Sequence, residues 1–140
     1  MLKQLSVFAE NKPGRVAEIT TVLGENDIDI RALSIADTTN FGIVRMIVDK
    51  PQKAELLLKA QGFTVSQTDV LAIGVNDKPG GLSYVLNILS DNAIDVEYMY
   101  AFISRDIKKA YVIVKVKDSQ KTLEVLTLNG VSILTDADIV

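Results

Sequence analysis

The 140-residue sequence predicts an α+β protein made of two copies of a strand-helix-strand-strand-helix-strand unit. Three observations point there. The turn Asn11-Lys12-Pro13-Gly14 returns 66 residues later as Asp77-Lys78-Pro79-Gly80. The likeness continues in register: between 11–30 and 77–96, 7 of 20 residues are identical, including Leu23/Leu89, Asn26/Asn92, Ile28/Ile94 and Asp29/Asp95. Around both turns, alternating apolar residues give way to an apolar stripe of helical period. Self-similarity of this kind marks two copies of one structural unit.

The elements follow in order. Leu2 to Ala9 alternates around Leu5, Val7 and Ala9 and reads as a strand. Pro13 fits the first turn of a helix, where its missing N–H costs nothing, and Asn11 sits close to a capping position. Val16, Ile19, Val22 and Leu23 form one helical stripe, ended by Glu25-Asn26-Asp27. Ile28 to Asp37 is a second strand, with Leu33 and Ile35 on one face and Ala32, Ser34 and Ala36 on the other. After a turn at Thr38 to Gly42, Ile43 to Val48 gives a β-branched third strand. Pro51 opens a helix that Gly62 stops, and Phe63 to Thr68 is the fourth strand. This is the split-βαβ, ferredoxin-like order, expected to give an antiparallel sheet with both helices on one face.

The second copy follows without a linker, so the units are expected at 1–68 and 69–140. Its elements are a strand at Val70 to Asn76, a helix at Pro79 to Ser90, and a hairpin of Ile94 to Ser104 and Ala110 to Lys117 around Arg105-Asp106. A helix at Ser119 to Leu128 and a strand at Val131 to Leu134 complete it. The tail from Asp136 to Val140 reads either as a short strand or as a frayed end.

Composition narrows the function. The chain has no Cys and no His, which removes thiolate chemistry, the usual neutral-pH base and the commonest metal ligands. Neither a Ser-x-x-Lys nor a Gly-x-Ser-x-Gly nucleophile motif occurs, so no catalytic residue is assigned and the protein is read as a non-enzyme. Asp136 and Asp138 alone make a poor cation site, so no metal and no cofactor is expected. A net charge of −3 argues against nucleic acid as a partner. Without a membrane-spanning run or a signal-peptide pattern, the expected location is the cytoplasm.

A strand, then Asn/Asp-Lys-Pro-Gly, an amphipathic helix, Asn-x-Ile-Asp-Ile/Val and a hairpin strand resembles the ACT domain, twice over nearly the whole chain. The resemblance implies an allosteric module that binds a free amino acid. It also implies sheets joined side by side, with ligands at the interface near the Pro-Gly turn. Many ACT domains are fused to enzymes of amino-acid metabolism. With no catalytic domain attached here, the chain looks like a free-standing tandem ACT protein acting on a partner enzyme in trans. In the serine-binding ACT domains of phosphoglycerate dehydrogenase, a His stands at the place of Ala9 and an Asn at that of Asp29; both differ here.

The turn suits an amino acid chemically. A helix start offers N–H groups and partial positive charge to a carboxylate, Gly14 and Gly80 permit close approach, and Arg15 adds charge where the second copy has Gly81. The expected ligand residues are Asn11, Lys12, Pro13, Gly14, Arg15, Asp29 and Ile30, and Asp77, Pro79, Gly80, Gly81, Asp95 and Val96. Asn11, Asp77, Asp29 and Asp95 would be acceptors for the ammonium. The same residues have structural readings: Pro-Gly begins helices in many proteins, exposed Asp solvates strand edges, and Asn26 and Asn92 close helices in a left-handed conformation. On charge, the first copy is the expected binder. Tyr98, Tyr100, Phe102 and Tyr111 form an aromatic face on the second copy, expected to pack in a homodimer or else to line a pocket for an aromatic ligand. The competing function is a structural or interaction subunit with vestigial ligand pockets.

Overall fold

A computed structural model describes residues 1–37, 41–102 and 109–138. The chain divides into two compact units, Lys3–Thr68 and Asp69–Val140 with Met1–Leu2. The first contains β1 (Leu2–Glu10), α1 (Arg15–Glu25), β2 (Ile30–Asp37), β3 (Phe41–Val48) and α2 (Pro51–Ala60). A long strand, β4 (Thr64–Asn76), runs through the boundary. Two separate strands were expected there, but no Gly or Pro interrupts the stretch between Thr64 and Ile73, and Asp69 alone does not break a strand. The second unit continues with α3 (Gly81–Asp91), β5 (Val96–Phe102), β6 (Lys109–Val116), α4 (Ser119–Leu128) and β7 (Ile133–Leu134). The tail forms a single 3₁₀ turn at Asp136–Asp138, closed where Asp138 accepts hydrogen bonds from the Thr135 N–H at 2.8 Å and hydroxyl at 3.0 Å.

Among the described residues, β1 and β2 each pair with β3, β5 with β6, and β6 and β7 with β4, antiparallel in every case. In the first unit β3 lies between β2 and β1, with Leu5 opposite Met46, Glu10 opposite Phe41, and Ile30 opposite Val48. In the second, β6 lies between β5 and β4, and β7 pairs with β4 through Ala72 and Leu134. The tips of both hairpins, including Arg105-Asp106, fall outside the described residues.

Alternation along each strand sends one set of side chains toward the helices. In the first unit Leu5 and Val7 of β1 and Val44 and Met46 of β3 bury against Ile19 and Leu23 of α1 and Ala54 and Leu58 of α2. In the second, Leu71, Ile73, Val114 and Val116 bury against Val85, Leu89 and Leu126. Each such Leu or Val contributes about 1.5–3 kcal/mol by leaving water. Leu33 and Ile35 lie opposite Met46 and Val44, on the helix side of β2, yet they are 37% and 51% exposed because β2 is the outermost strand of its ladder.

Helix ends are set differently from expectation. The residue entering α1 is Gly14 at φ +88°, and that entering α3 is Gly80 at φ +86°. Pro13 and Pro79 therefore sit ahead of the helices, and Asn11 does not cap. Nothing lies within 4 Å of a side-chain carbon placed on either glycine, so what demands glycine is the backbone angle rather than space. At the other end the left-handed residues are Asp27 (φ 59°) and Ala93 (φ 54°), not the asparagines before them. Asn26 and Asn92 instead donate from Nδ2 to the carbonyls of Val22 and Ile88, each at 2.8 Å.

Gly14→Ala and Gly80→Ala should each lower the unfolding free energy by about 1–2 kcal/mol, the cost of a Cβ in the left-handed region. Urea denaturation checks this; unchanged midpoints would show that the joint does not need glycine.

Candidate functional site

Each Pro-Gly turn is a tight link from strand to helix. The Lys12 N–H donates to the Glu10 carbonyl at 2.8 Å, and the Arg15 N–H to the Lys12 carbonyl at 3.3 Å. The second copy repeats this, from Lys78 to Asn76 at 2.9 Å and from Gly81 to Lys78 at 3.0 Å. The first helical bonds follow, Glu18 to Gly14 at 2.9 Å and Tyr84 to Gly80 at 3.0 Å.

A cleft opens beside each turn, between the start of the first helix of the unit and the connection leaving the second. The first, about 160 Å³, is lined by Phe8, Ala9 and Glu10 of β1, Arg15, and Gln61, Gly62 and Phe63 after α2. The second, about 280 Å³, is lined by Gly74, Val75 and Asn76 of β4, by Gly81, Tyr84 and Val85 of α3, and by residues 129–132 after α4. Gly62 and Gly130, at φ +92° and +71°, carry the chain around this second wall. Arg15 and Gly81 thus line clefts. Asn11, Lys12, Pro13, Gly14, Asp77, Pro79 and Gly80 form the exposed turns next to them. Sequence reasoning missed the wall from the far end of each unit; its one signal was the recurrence of the helix-stopping glycine, Gly62 as Gly130.

Asp29, Ile30, Asp95 and Val96 are not brought to the turns of their own units. Ile30 pairs at the Val48 end of the ladder and Glu10 at the Phe41 end, a separation of roughly 23 Å at 3.3 Å per residue. Asp29 is also occupied. Its carboxylate accepts from Arg31 Nη1 at 3.2 Å, its N–H donates to Asp49 Oδ1 at 2.9 Å, and its carbonyl accepts from the Asp49 N–H at 3.2 Å. Asp95 borders a separate hollow of about 120 Å³ with Ile94, Lys117, Asp118, Lys121 and Thr122.

The first turn's charges are also engaged locally. Arg15 Nη1 pairs with Glu18 Oε2 at 3.0 Å along the helix, and Lys12 Nζ with Glu10 Oε2 at 2.6 Å. Arg15, on which the expectation of a better carboxylate binder in the first copy rests, thus has a carboxylate partner of its own along the helix. Tyr98, Tyr100, Phe102 and Tyr111 do share a sheet face, Phe102 and Tyr111 meeting edge to face at 6.4 Å. The face is not an open patch, because the tyrosines are half-buried and Phe102 is only 9% exposed. Among the described residues no group of three His, Cys, Asp or Glu could hold a metal, and no helix is long and apolar enough to cross a membrane.

The hydrogen bond from Lys12, and then its charge, hold the Glu10 carboxyl below the ordinary glutamate value. A depressed folded value means that this interaction is present above the ordinary carboxylate range and is lost as pH falls through the folded value. Carboxyl-detected NMR should show Glu10 titrating below a free glutamate, and Lys12→Ala should return it upward; an unmoved midpoint would show that the pair does not form in solution.

Comparison with known proteins places this geometry. A family model described as an ACT domain pair matches residues 1–140. The protein BT0572 from Bacteroides thetaiotaomicron has a similar structure, with 40% identity, a TM-score of 0.91, and coverage of 99% of this chain and 94% of that one. The ligand-free regulatory subunit of aspartate kinase from Thermus thermophilus shares the fold at 14% identity and a TM-score of 0.67, over 90% of this chain and 91% of that one. Its counterpart from Thermus flavus does so at 13% identity and a TM-score of 0.61, with 90% of each chain covered. None of the curated proteins matches. The chain belongs to the ACT domain family, a family of regulatory domains, and carries the domain as a tandem pair of ferredoxin-like repeats.

Proposed function

We propose that this is a non-catalytic regulatory protein that binds a free amino acid beside its Pro-Gly turns and modulates a partner enzyme or regulator of amino-acid metabolism. The observation that carries the reading is that the same cleft recurs beside both turns, built from equivalent elements of two regulatory repeats. A helix start and a tight glycine turn on one side suit a carboxylate. The side-chain oxygens of Asn11 and Asp77, exposed on the turns, suit an ammonium group. Asp29, Ile30, Asp95 and Val96 stand far from the turn of their own unit and are not part of the cleft proposed here. Regulation of an enzyme is the role named for the Thermus proteins of the same fold, and the proposal extends that role to this chain.

Ligand can shift a partner only by favouring one of two states. A homodimer belongs to the same proposal. Besides the half-buried tyrosine face, exposed apolar side chains such as Phe8, Ile35 and Phe41, which are 43%, 51% and 55% exposed, would gain from cover. These exposed residues, together with a first cleft narrowed by Phe8 and Phe63, favour the second reading, an interaction subunit with vestigial pockets.

A thermal-shift panel of the twenty amino acids separates the two. Ligand at 100 times its Kd should stabilise by about 2.7 kcal/mol and raise Tm clearly. A flat panel at millimolar concentrations would sink the sensor reading and leave the interaction subunit. Sedimentation velocity at micromolar concentration should show a dimer, and a monomer would remove self-association from the account.

A further inference from the structure

The two clefts occupy the same place in the repeat but differ in size and charge. Phe8, Arg15 and Phe63 of the first are matched by Gly74, Gly81 and Val131 in the second. These exchanges remove side-chain volume, and the cleft widens from about 160 Å³ to about 280 Å³ although Val75 replaces Ala9. Glu10 is matched by Asn76, so both charged side chains that line the first cleft are gone. Tyr84 is the one ionisable residue among those lining the second.

Close packing demands glycine at two of these positions. A Cβ on Gly81 would lie 1.9 Å from the Asn76 carbonyl oxygen. One on Gly74 would lie 3.1 Å from Ser132 Cβ and 3.2 Å from the Tyr111 ring, beside the 2.7 Å hydrogen bond from the Gly74 N–H to the Ser132 carbonyl. Neither glycine can therefore readily be exchanged for a residue with a side chain.

Resting on the amino-acid reading above, we infer that the second repeat's cleft is the discriminating site and selects amino acids with an uncharged side chain. Its volume lies just below the roughly 300 Å³ at which pockets begin to hold drug-sized molecules, a scale suited to one amino acid. Val75, Val85 and Val131 offer apolar contact, and the polar lining residues Asn76, Asn129 and Ser132 are neutral, the Asn129 amide already donating to the Val125 carbonyl at 2.8 Å. A charged side chain would lose water there without meeting an opposite charge, which is strongly unfavourable.

Amide NMR on the full chain tests this with leucine, lysine and aspartate as probes. Leucine should move the resonances of Gly74, Gly81 and Gly130 and leave Gly62 in place, and lysine and aspartate should bind roughly tenfold or more weakly. Val131→Phe, which installs the residue of the first repeat, should weaken leucine binding by a similar factor, roughly tenfold. If Val131→Phe does not fold, the wild-type resonance map still decides. Shifts centred on Arg15 and Gly62, equal or tighter binding of the charged probes, or a folded Val131→Phe protein that binds leucine normally would overturn the inference and leave the sensor reading standing. Absence of any response to every amino acid would overturn both.

Discussion

The architecture around both clefts depends on one backbone constraint, the left-handed glycine that joins the first strand of each repeat to its first helix. At φ near +87° the chain leaves the strand and enters the helix within four residues, which sets the helix start directly beside the strand end. The apolar stripe of the helix then falls onto the sheet, where Ile19 and Leu23, or Val85 and Leu89, complete the core. Because the returning connection after the second helix ends at the same edge, a hollow remains between the two. Strand-end backbone, helix start and glycine return form its walls in both repeats.

Given this shared frame, a few side chains decide what each hollow can do. In the first repeat two phenylalanines narrow it, and Glu10 and Arg15 line it while held in ion pairs with their neighbours. Such exposed pairs contribute little to stability, typically 0–1 kcal/mol, but they hold the local charge in place. In the second repeat the same positions carry glycine, valine and asparagine. Duplication thus supplies two copies of one geometry, and the copies differ in the groups that would touch a ligand. The joint itself is retained in both.

Much of this was legible in the sequence because it rests on local pattern. The repeat, the element order and the span Ser119–Leu128 all follow from periodicity and turn residues. What escaped has physical reasons. Pro-Gly is compatible both with proline inside the first helical turn and with glycine before it, and only the backbone angle separates the two. The left-handed residues at the helix ends are Asp27 and Ala93, one place beyond Asn26 and Asn92, whose side chains cap carbonyls, and residue type alone does not separate the two positions. The exposure of Leu33 and Ile35 depends on β2 being outermost, which alternation cannot show. The clefts were the least visible feature, since Phe63 and Val131 stand roughly 50 residues along the chain from the turns they face.

The central claim, that a free amino acid sits beside a Pro-Gly turn, is tested most directly by a crystal structure of the protein grown with saturating leucine. The account predicts density for one amino acid against Gly81 and Gly130. Empty clefts at both turns, or an amino acid bound away from them, would contradict it.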